Sequence, residues 1–292
     1  MIVQKQTKRV VAVHDLSCMG RVSLMTAVPV LTSMGLQVCP LPTALLSAHT
    51  QYPDYTFLDL TEEMKRITGM WKKQGFTFDA FYSGYLGSEA QVDVVLDLLR
   101  DFCRETDLVV VDPVLGDNGR LYKGMPESMI QGMRLLVRKA DVITPNVTEM
   151  YLLLDGKAHE EVLTDQRMKT YLARLSQEGP QIVIVTGVPV PGNPHLTSVY
   201  AFNARSGKYW KVTCPFLPAH YPGTGDTFTS VIVGALMQGD SLPLALDRAT
   251  QFTLQGIRAT FGGDYDNLQG IQLEKVLRNL DQPIQVSSFE LI

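Results

Sequence analysis

Cysteine is scarce in this sequence: four in 292 residues, at Cys18, Cys39, Cys103 and Cys214, with no C-x-x-C pair. That spacing excludes the common zinc and dithiol redox motifs. Four cysteines allow two disulfides, but a chain of this size without an export signal is expected to keep them reduced, in the cytoplasm. Runs of lysine or arginine are missing, and the net charge is −4 with a pI of about 5.7. Neither nucleic acid nor an anionic membrane is therefore expected as a partner. No stretch approaches the ~18 apolar residues of a membrane span. The polar start Met1–Arg9 leads only into the short apolar run Val10–Val13, too short for the core of a signal peptide. Two nucleotide motifs are also lacking. There is no G-x-x-x-x-G-K-[ST], and no G-x-G-x-x-G after the first apolar run, so neither a Walker-type nor a dinucleotide site is supported.

Hydrophobic residues make up 45% of the chain and charged residues 19%, enough to bury a large core. Lys8–Val13 reads as a strand, His14–Gly20 as a turn, Arg21–Met34 as a helix and Leu36–Cys39 as a second strand. This β-turn-α-β unit predicts a mostly parallel α/β sheet with a right-handed crossover and ligands at the strands' carboxyl ends. The segment Pro40–Pro53, with three prolines, breaks the alternation and reads as a small flap near 40–55. Further strands are expected at Phe78–Ser83, Asp107–Val111, Asp141–Ile143 and Gln181–Thr186, with an edge hairpin of Leu196–Phe202 and Lys208–Cys214. Helices are expected at Leu58–Gln74, Ser88–Cys103, Met129–Lys139, Thr164–Glu178 and Leu242–Phe261. Thr144 suits a helix N-cap and Pro145 the first helical position. With no repeat and no linker, residues 1–292 read as one domain carrying the flap.

The chemistry centres on Pro222-Gly-Thr-Gly-Asp226, followed by a small, apolar helix. Two nearby glycines let the backbone bend tightly and approach a ligand. The free N–H groups and dipole of the helix start form an anion site. Asp226 there is either a helix cap or a general base facing a phosphoryl donor. Other strand ends carry Asp15, Tyr85, Asp112, Asp117, Glu149 and Thr186, any of which alone reads as a turn or cap residue. Asn146 and Glu149, at i,i+3, share one helical face at its positive end. With Asp112 and Asp117 they suggest a divalent cation held partly through water. His49 is either a solvated loop histidine or a substrate contact. Trp71, Trp210 and most methionines are assigned to packing.

Gly223-Thr-Gly-Asp226 resembles the catalytic signature of the ribokinase superfamily, and Asn146-Val-Thr-Glu149 its N-x-x-E magnesium motif. Within that superfamily the chain is most similar to the pyridoxal/pyridoxamine kinases. Ser47–Tyr52, Ser83-Gly-Tyr85, Asp112-Pro-Val-Leu-Gly-Asp117 and Thr144–Glu149 carry the likeness, in order, across about residues 9–265. The resemblance implies a three-layer α/β/α ribokinase-like fold and a cytoplasmic homodimer. It implies a transferase that phosphorylates the 5′-hydroxymethyl group of a B6 vitamer (pyridoxal, pyridoxamine or pyridoxine) with ATP in vitamin B6 salvage.

By the same resemblance Asp226 takes the hydroxyl proton, and the N–H groups of Gly223, Thr224 and Gly225 receive the transferring phosphoryl. Thr224 and Thr186 contact ATP phosphates, Thr144 lies on the nucleotide side, and Leu217 is placed beside adenine. Asp112, Asp117, Asn146 and Glu149 organise Mg²⁺, with a monovalent cation such as K⁺ nearby, and Tyr122 lies on a lid over the phosphates. His49, Thr50 and Tyr85 hold the pyridine ring. Asp15 stands where many pyridoxal kinases carry a serine, with Ser17 two positions on; an acidic group there favours a protonated ring nitrogen or an amine. The lid Asp117–Gly124 lacks the cysteine of some bifunctional hydroxymethylpyrimidine kinases. Hydroxymethylpyrimidine kinase is the enzymatic alternative, and a non-catalytic vitamer binder on the same fold the other.

Overall fold

The computed structural model describes residues 7–281 and 289–292; residues 1–6, the larger part of the polar start, lie outside the described residues. The first half of the chain contains β1 (Arg9–Ser17), α1 (Leu24–Ser33), β2 (Gln37–Leu46), β3 (Phe57–Asp59), α2 (Thr61–Gln74), β4 (Ala80–Ser83), α3 (Glu89–Phe102), β5 (Leu108–Val111), β6 (Gly116–Asp117), β7 (Arg120–Leu121), α4 (Ser128–Val137) and β8 (Val142–Ile143). The second half contains α5 (Val147–Asp155), α6 (Asp165–Gln177), β9 (Ile182–Pro189), β10 (Leu196–Asn203), β11 (Lys208–Pro215), α7 (Thr224–Gln238), α8 (Leu242–Thr260) and β12 (Glu290–Leu291).

Among the described residues, one sheet runs in the order β12-β11-β10-β9-β8-β5-β4-β1-β2-β3. The six strands from β2 to β9 are mutually parallel, while β3 and the β10–β12 end are antiparallel. Side chains alternate across it. Val11, Val13, Phe81, Val109, Val111 and Ile143 face a core completed by α2–α6. Their neighbours Val10, Ala80, Tyr82, Val110 and Val142 face α1, α7 and α8. The result is the expected three-layer, ribokinase-like α/β/α architecture. Its strand order reverses between β1 and β4, the place where a crevice opens at the strands' carboxyl ends. α7 is drawn in against α1 by Gly234, where a Cβ would stand 2.2 Å from Met34 Sδ.

Several boundaries differ from the sequence reading. β1 does not turn at His14. After a bulge between His14 and Leu16 it resumes pairing with β2 through Ser17, which carries Asp15 to the strand's end. α1 accordingly begins at Leu24, not Arg21. Pro40–Leu46 belongs to the sheet as part of β2, and only the loop beyond it stands away. Pro40 and Pro42 fit there because β3 covers β2 only at residues 44–46, leaving their missing N–H groups on an unpaired side. The expected helix from Leu58 begins at Thr61 because Phe57–Asp59 is β3. The hairpin β10–β11 is not the edge, since β12 pairs beyond it.

Candidate active site

Gly223 caps α7 with φ +81°, and a Cβ there would lie 2.0 Å from the Arg21 carbonyl oxygen. Both facts require glycine. At Gly225 the nearest atom to a built Cβ is Asp112 Oδ2 at 3.9 Å, so the missing side chain leaves the helix start open above that carboxylate. The first helical bond is Thr227 N–H to Gly223 O at 2.9 Å, and the preceding N–H groups are free for an anion.

Asp226 does not cap its own helix. Its Oδ2 accepts the Ser23 N–H at 2.8 Å, and its Oδ1 lies 3.8 Å from His14 Nδ1, with 14% of the side chain exposed. Burial pushes its carboxyl up to about 6; the Ser23 N–H opposes that rise and the nearby Asp15 charge adds to it. A base with that value is ionised at neutral pH yet able to hold a proton. His14 is fully buried, neither ring nitrogen has a hydrogen-bond partner, and burial lowers its imidazole to about 3. The neutral ring is wedged edge-on against Tyr82 at 4.4 Å and against Gly84, where a Cβ would be 2.3 Å from Nδ1. Sequence reasoning assigned neither His14 nor Ser23 a role. His14 sat inside an assumed turn, and Ser23 inside an assumed helix. A polar residue directly continuing an apolar strand was the available signal for His14.

On the β1 side Asp15 is buried, and its two oxygens accept the hydroxyls of Ser23 at 2.5 Å and Ser17 at 2.8 Å. Tyr85, half-buried, lies within electrostatic reach of Asp15. Its phenol is pushed up to about 12 by burial, with Asp15 and Tyr55 adding to the rise. His49 is not a solvated loop histidine: it is 6% exposed, its Nε2 lies 2.5 Å from the Leu268 carbonyl oxygen, and its ring meets Tyr52 edge-on at 4.9 Å. Thr50 follows in a turn closed by Tyr52 N–H to His49 O at 3.0 Å.

On the β5–β8 side Asp112 ends its strand. Thr229 Oγ1 lies 3.3 Å from Asp112 Oδ2 and 2.9 Å from Thr144 Oγ1. Thr144 is therefore a buried link to α7 and not a helix cap. The cap of α5 is Asn146, in a reciprocal box with Glu149. Asn146 Oδ1 accepts the Glu149 N–H at 2.9 Å and Nδ2 donates to Gly116 O at 2.8 Å, so the side chain expected beside Mg²⁺ is spent on the backbone. Glu149 Oε2 accepts the Asn146 N–H at 2.9 Å and Oε1 the Leu115 N–H at 3.1 Å. Burial raises both Asp112 and Glu149 well above the usual carboxylate range. The charge of Asp226 adds to the rise at Asp112, and that of Asp112 to the rise at Glu149. Tyr122 faces the same acids, its phenol raised first by burial and then by Glu149, Asp117, Asp112 and Asp226. Asp117 is turned to Asn118, accepting its backbone N–H at 2.7 Å. Thr186 adjoins the start of α5, its N–H donating to Pro145 O at 3.0 Å, and Leu217 is half-buried between β11 and α7.

Among the described residues no three Asp, Glu, His or Cys side chains meet at metal-ligand spacing. A Mg²⁺-type site needs only one or two carboxylates when phosphate oxygens and water complete the shell. Asp112 and Glu149, buried and mutually repelling, fit that need, since a cation between them and a phosphate would relieve the repulsion. No described helix is long and apolar enough to cross a membrane.

A family model described as phosphomethylpyrimidine kinase matches residues 31–268. A Bacteroides thetaiotaomicron protein, described as a candidate phosphomethylpyrimidine kinase and crystallised with pyridoxal, is 63% identical. The match covers 98% of this chain and 100% of that one, with a TM-score of 0.95. Pyridoxal kinase from Lactobacillus plantarum is 33% identical over 94% of this chain and 97% of its own, with a TM-score of 0.84. Pyridoxal kinase from Arabidopsis thaliana is 26% identical over 267 residues, covering 89% of this chain and 83% of its own.

Proposed function

The chain belongs to the phosphomethylpyrimidine kinase family, and from that premise we propose that it is an ATP-dependent kinase of the 5′-hydroxymethyl group of B6 vitamers. The observation that carries the reading is the pyridoxal in a 63% identical structure of the same fold. A largely buried aspartate that does not cap its own helix, at the mouth of a glycine anion site, supports it.

Asp226 accepts the hydroxyl proton as the oxygen attacks the γ-phosphorus in line. The bond to the β–γ bridging oxygen breaks, and ADP departs. The first-turn N–H groups of α7 receive the charge gathering on the equatorial oxygens. Asp15, Tyr85 and His49 hold the ring. A divalent cation, Mg²⁺ in our reading, would be held by Asp112 and Glu149 and would neutralise phosphate charge, with a monovalent cation such as K⁺ as activator. The family description itself favours a second reading, phosphorylation of hydroxymethylpyrimidine. ATP turnover measured side by side with pyridoxal, pyridoxamine, pyridoxine and hydroxymethylpyrimidine decides. At least one vitamer is expected to be used far better than the pyrimidine, and the reverse ranking overturns the proposal. Vitamer binding without turnover would favour a binder instead.

We also propose a cytoplasmic homodimer. All four cysteines are free thiols, and Leu45 and Leu58, paired across β2 and β3, are both exposed.

A further inference from the structure

Ser23 precedes α1 in the N-cap position, where a serine ordinarily turns its hydroxyl to the helix's own N–H groups. Here it does not: there is no side-chain cap bond, and the backbone sits at φ 51°, ψ −127°. That conformation is one glycine takes easily and other residues avoid. A serine held there is fixed by its surroundings on both sides. Its N–H donates to Asp226 Oδ2 at 2.8 Å, and its hydroxyl donates to Asp15 Oδ1 at 2.5 Å. The two residues before it are pinned as well, since a Cβ on Gly223 would stand 2.0 Å from the Arg21 carbonyl oxygen and 3.2 Å from Val22 Cα.

We propose that Ser23 is a positioning residue that holds the general base and the ring-side carboxylate in register: its N–H aims Asp226, and its hydroxyl aims Asp15. This rests on the kinase reading above. The unusual backbone is what allows one residue to reach both. With an ordinary cap conformation, the N–H would not turn toward α7 while the side chain reached back to β1. The hydroxyl explains why serine occupies a position suited to glycine. In the kinase reading Asp15 serves the substrate's ring and Asp226 its reacting hydroxymethyl group, so an error at Ser23 would misplace one relative to the other. Small misplacements of that kind are costly in phosphoryl transfer.

The test compares Ser23→Ala, which removes the hydroxyl and keeps the backbone strain, with Ser23→Gly, which removes the hydroxyl and relaxes the backbone. Losing a hydrogen bond to a buried carboxylate is expected to raise the vitamer KM of Ser23→Ala about tenfold, with kcat and the ATP KM within about twofold. Ser23→Gly should show the same KM rise and also lose about tenfold in kcat, because the donor to Asp226 is no longer held in direction. In the double variant Ser23→Ala/Asp15→Asn the KM effects should not multiply, since both break one contact. Melting temperatures that fall while both vitamer KM and kcat stay at wild-type values would return Ser23 to a structural role and overturn the proposal. A vitamer KM and an ATP KM that rise together would do the same. If the wild-type protein turns over no vitamer, the kinase reading fails separately. Equilibrium dialysis with pyridoxine, which has no aldehyde to react with lysines, then still decides. A weaker Kd in Ser23→Ala supports the positioning of Asp15, and an unchanged Kd removes it.

Discussion

Asp226 offers the sharpest contrast between a structural and a chemical role. A capping aspartate tolerates asparagine, which caps about as well. Here the carboxylate caps nothing and instead accepts Ser23 N–H, a bond that asparagine's oxygen can keep. Asp226→Asn is therefore expected to fold, to bind vitamer and ATP, and to lose at least about a hundredfold in turnover, the usual scale for a lost general base. Its melting temperature should equal or exceed wild type near neutral pH, because a charge held largely out of water is removed. The pH dependence follows from the same residue. Its folded value near 6 is raised from 3.8, so the folded protein holds more protons than the unfolded chain between those values. The stability linked to Asp226 thus falls as pH rises through that window. Activity runs the other way, since the base must be ionised. The expected profile of vitamer kcat/KM climbs with pH to a plateau above about 6, measured at saturating ATP and divalent cation. A flat profile across pH 5–7 would assign the base elsewhere. The place of Asp226 after Gly223 and Gly225 is what singles it out in the sequence. That it leans on Ser23 and not on its own helix was not legible there, because the contact spans 203 positions in sequence.

The start of α5 shows how a single element divides its residues between structure and chemistry. The sequence placed Asn146 and Glu149 on one face, which is correct, but the spacing could not say that the two would bond to each other. A capping box and a metal pair share the same i,i+3 signature. In the fold both side chains bond to backbone groups, but Asn146 is neutral, whereas Glu149 is a carboxylate that meets the charge of Asp112. Two variants separate the roles. Asn146→Ala is expected to cost about 1 kcal/mol of stability, the typical value of a lost N-cap, read by denaturant titration. Glu149→Gln keeps one acceptor oxygen, for either the Leu115 or the Asn146 N–H, and loses the other bond together with its charge. It should fold normally, need a higher divalent-cation concentration for half-maximal turnover, and turn over more slowly. A folded Glu149→Gln protein with unchanged cation dependence would leave Glu149 only its capping role. Most helices and strands were readable to within a few residues because their apolar periods are clean. The misplaced elements were those whose residues obey distant partners: β1 beyond His14, the first turn of α1, and β2 with its two prolines.

At the scale of the whole molecule, the parallel sheet carries Asp15, Tyr85, Asp112, Asn146 and Thr186 to one end, as the β-turn-α-β opening implied. Which loops would close over that end was not readable, since those contacts run between segments far apart in sequence. His49 meets Leu268, Tyr52 OH meets Asp266 at 3.2 Å, and Arg21 N–H meets Gln269 O at 3.0 Å, so a late segment straps the flap to the first loop. The flap hangs from β2 and β3 at the end of the sheet, where β3 is an edge with unpaired backbone groups. Leu58 is 57% exposed there and Leu45, its cross-strand partner, 38%. Bare apolar edges of this kind invite pairing with another chain. If a second copy covers this edge, it also steadies the loop that carries His49. Leu58→Glu is then expected to give a monomer by light scattering and to raise the vitamer KM more than the ATP KM, because in the proposed reading the loop by His49 serves the ring and not the nucleotide. The substitution is on an exposed position, so the monomer should melt cooperatively. A Leu58→Glu protein with wild-type mass would place the dimer contact on another surface, and a monomer with an unchanged vitamer KM would separate assembly from the site.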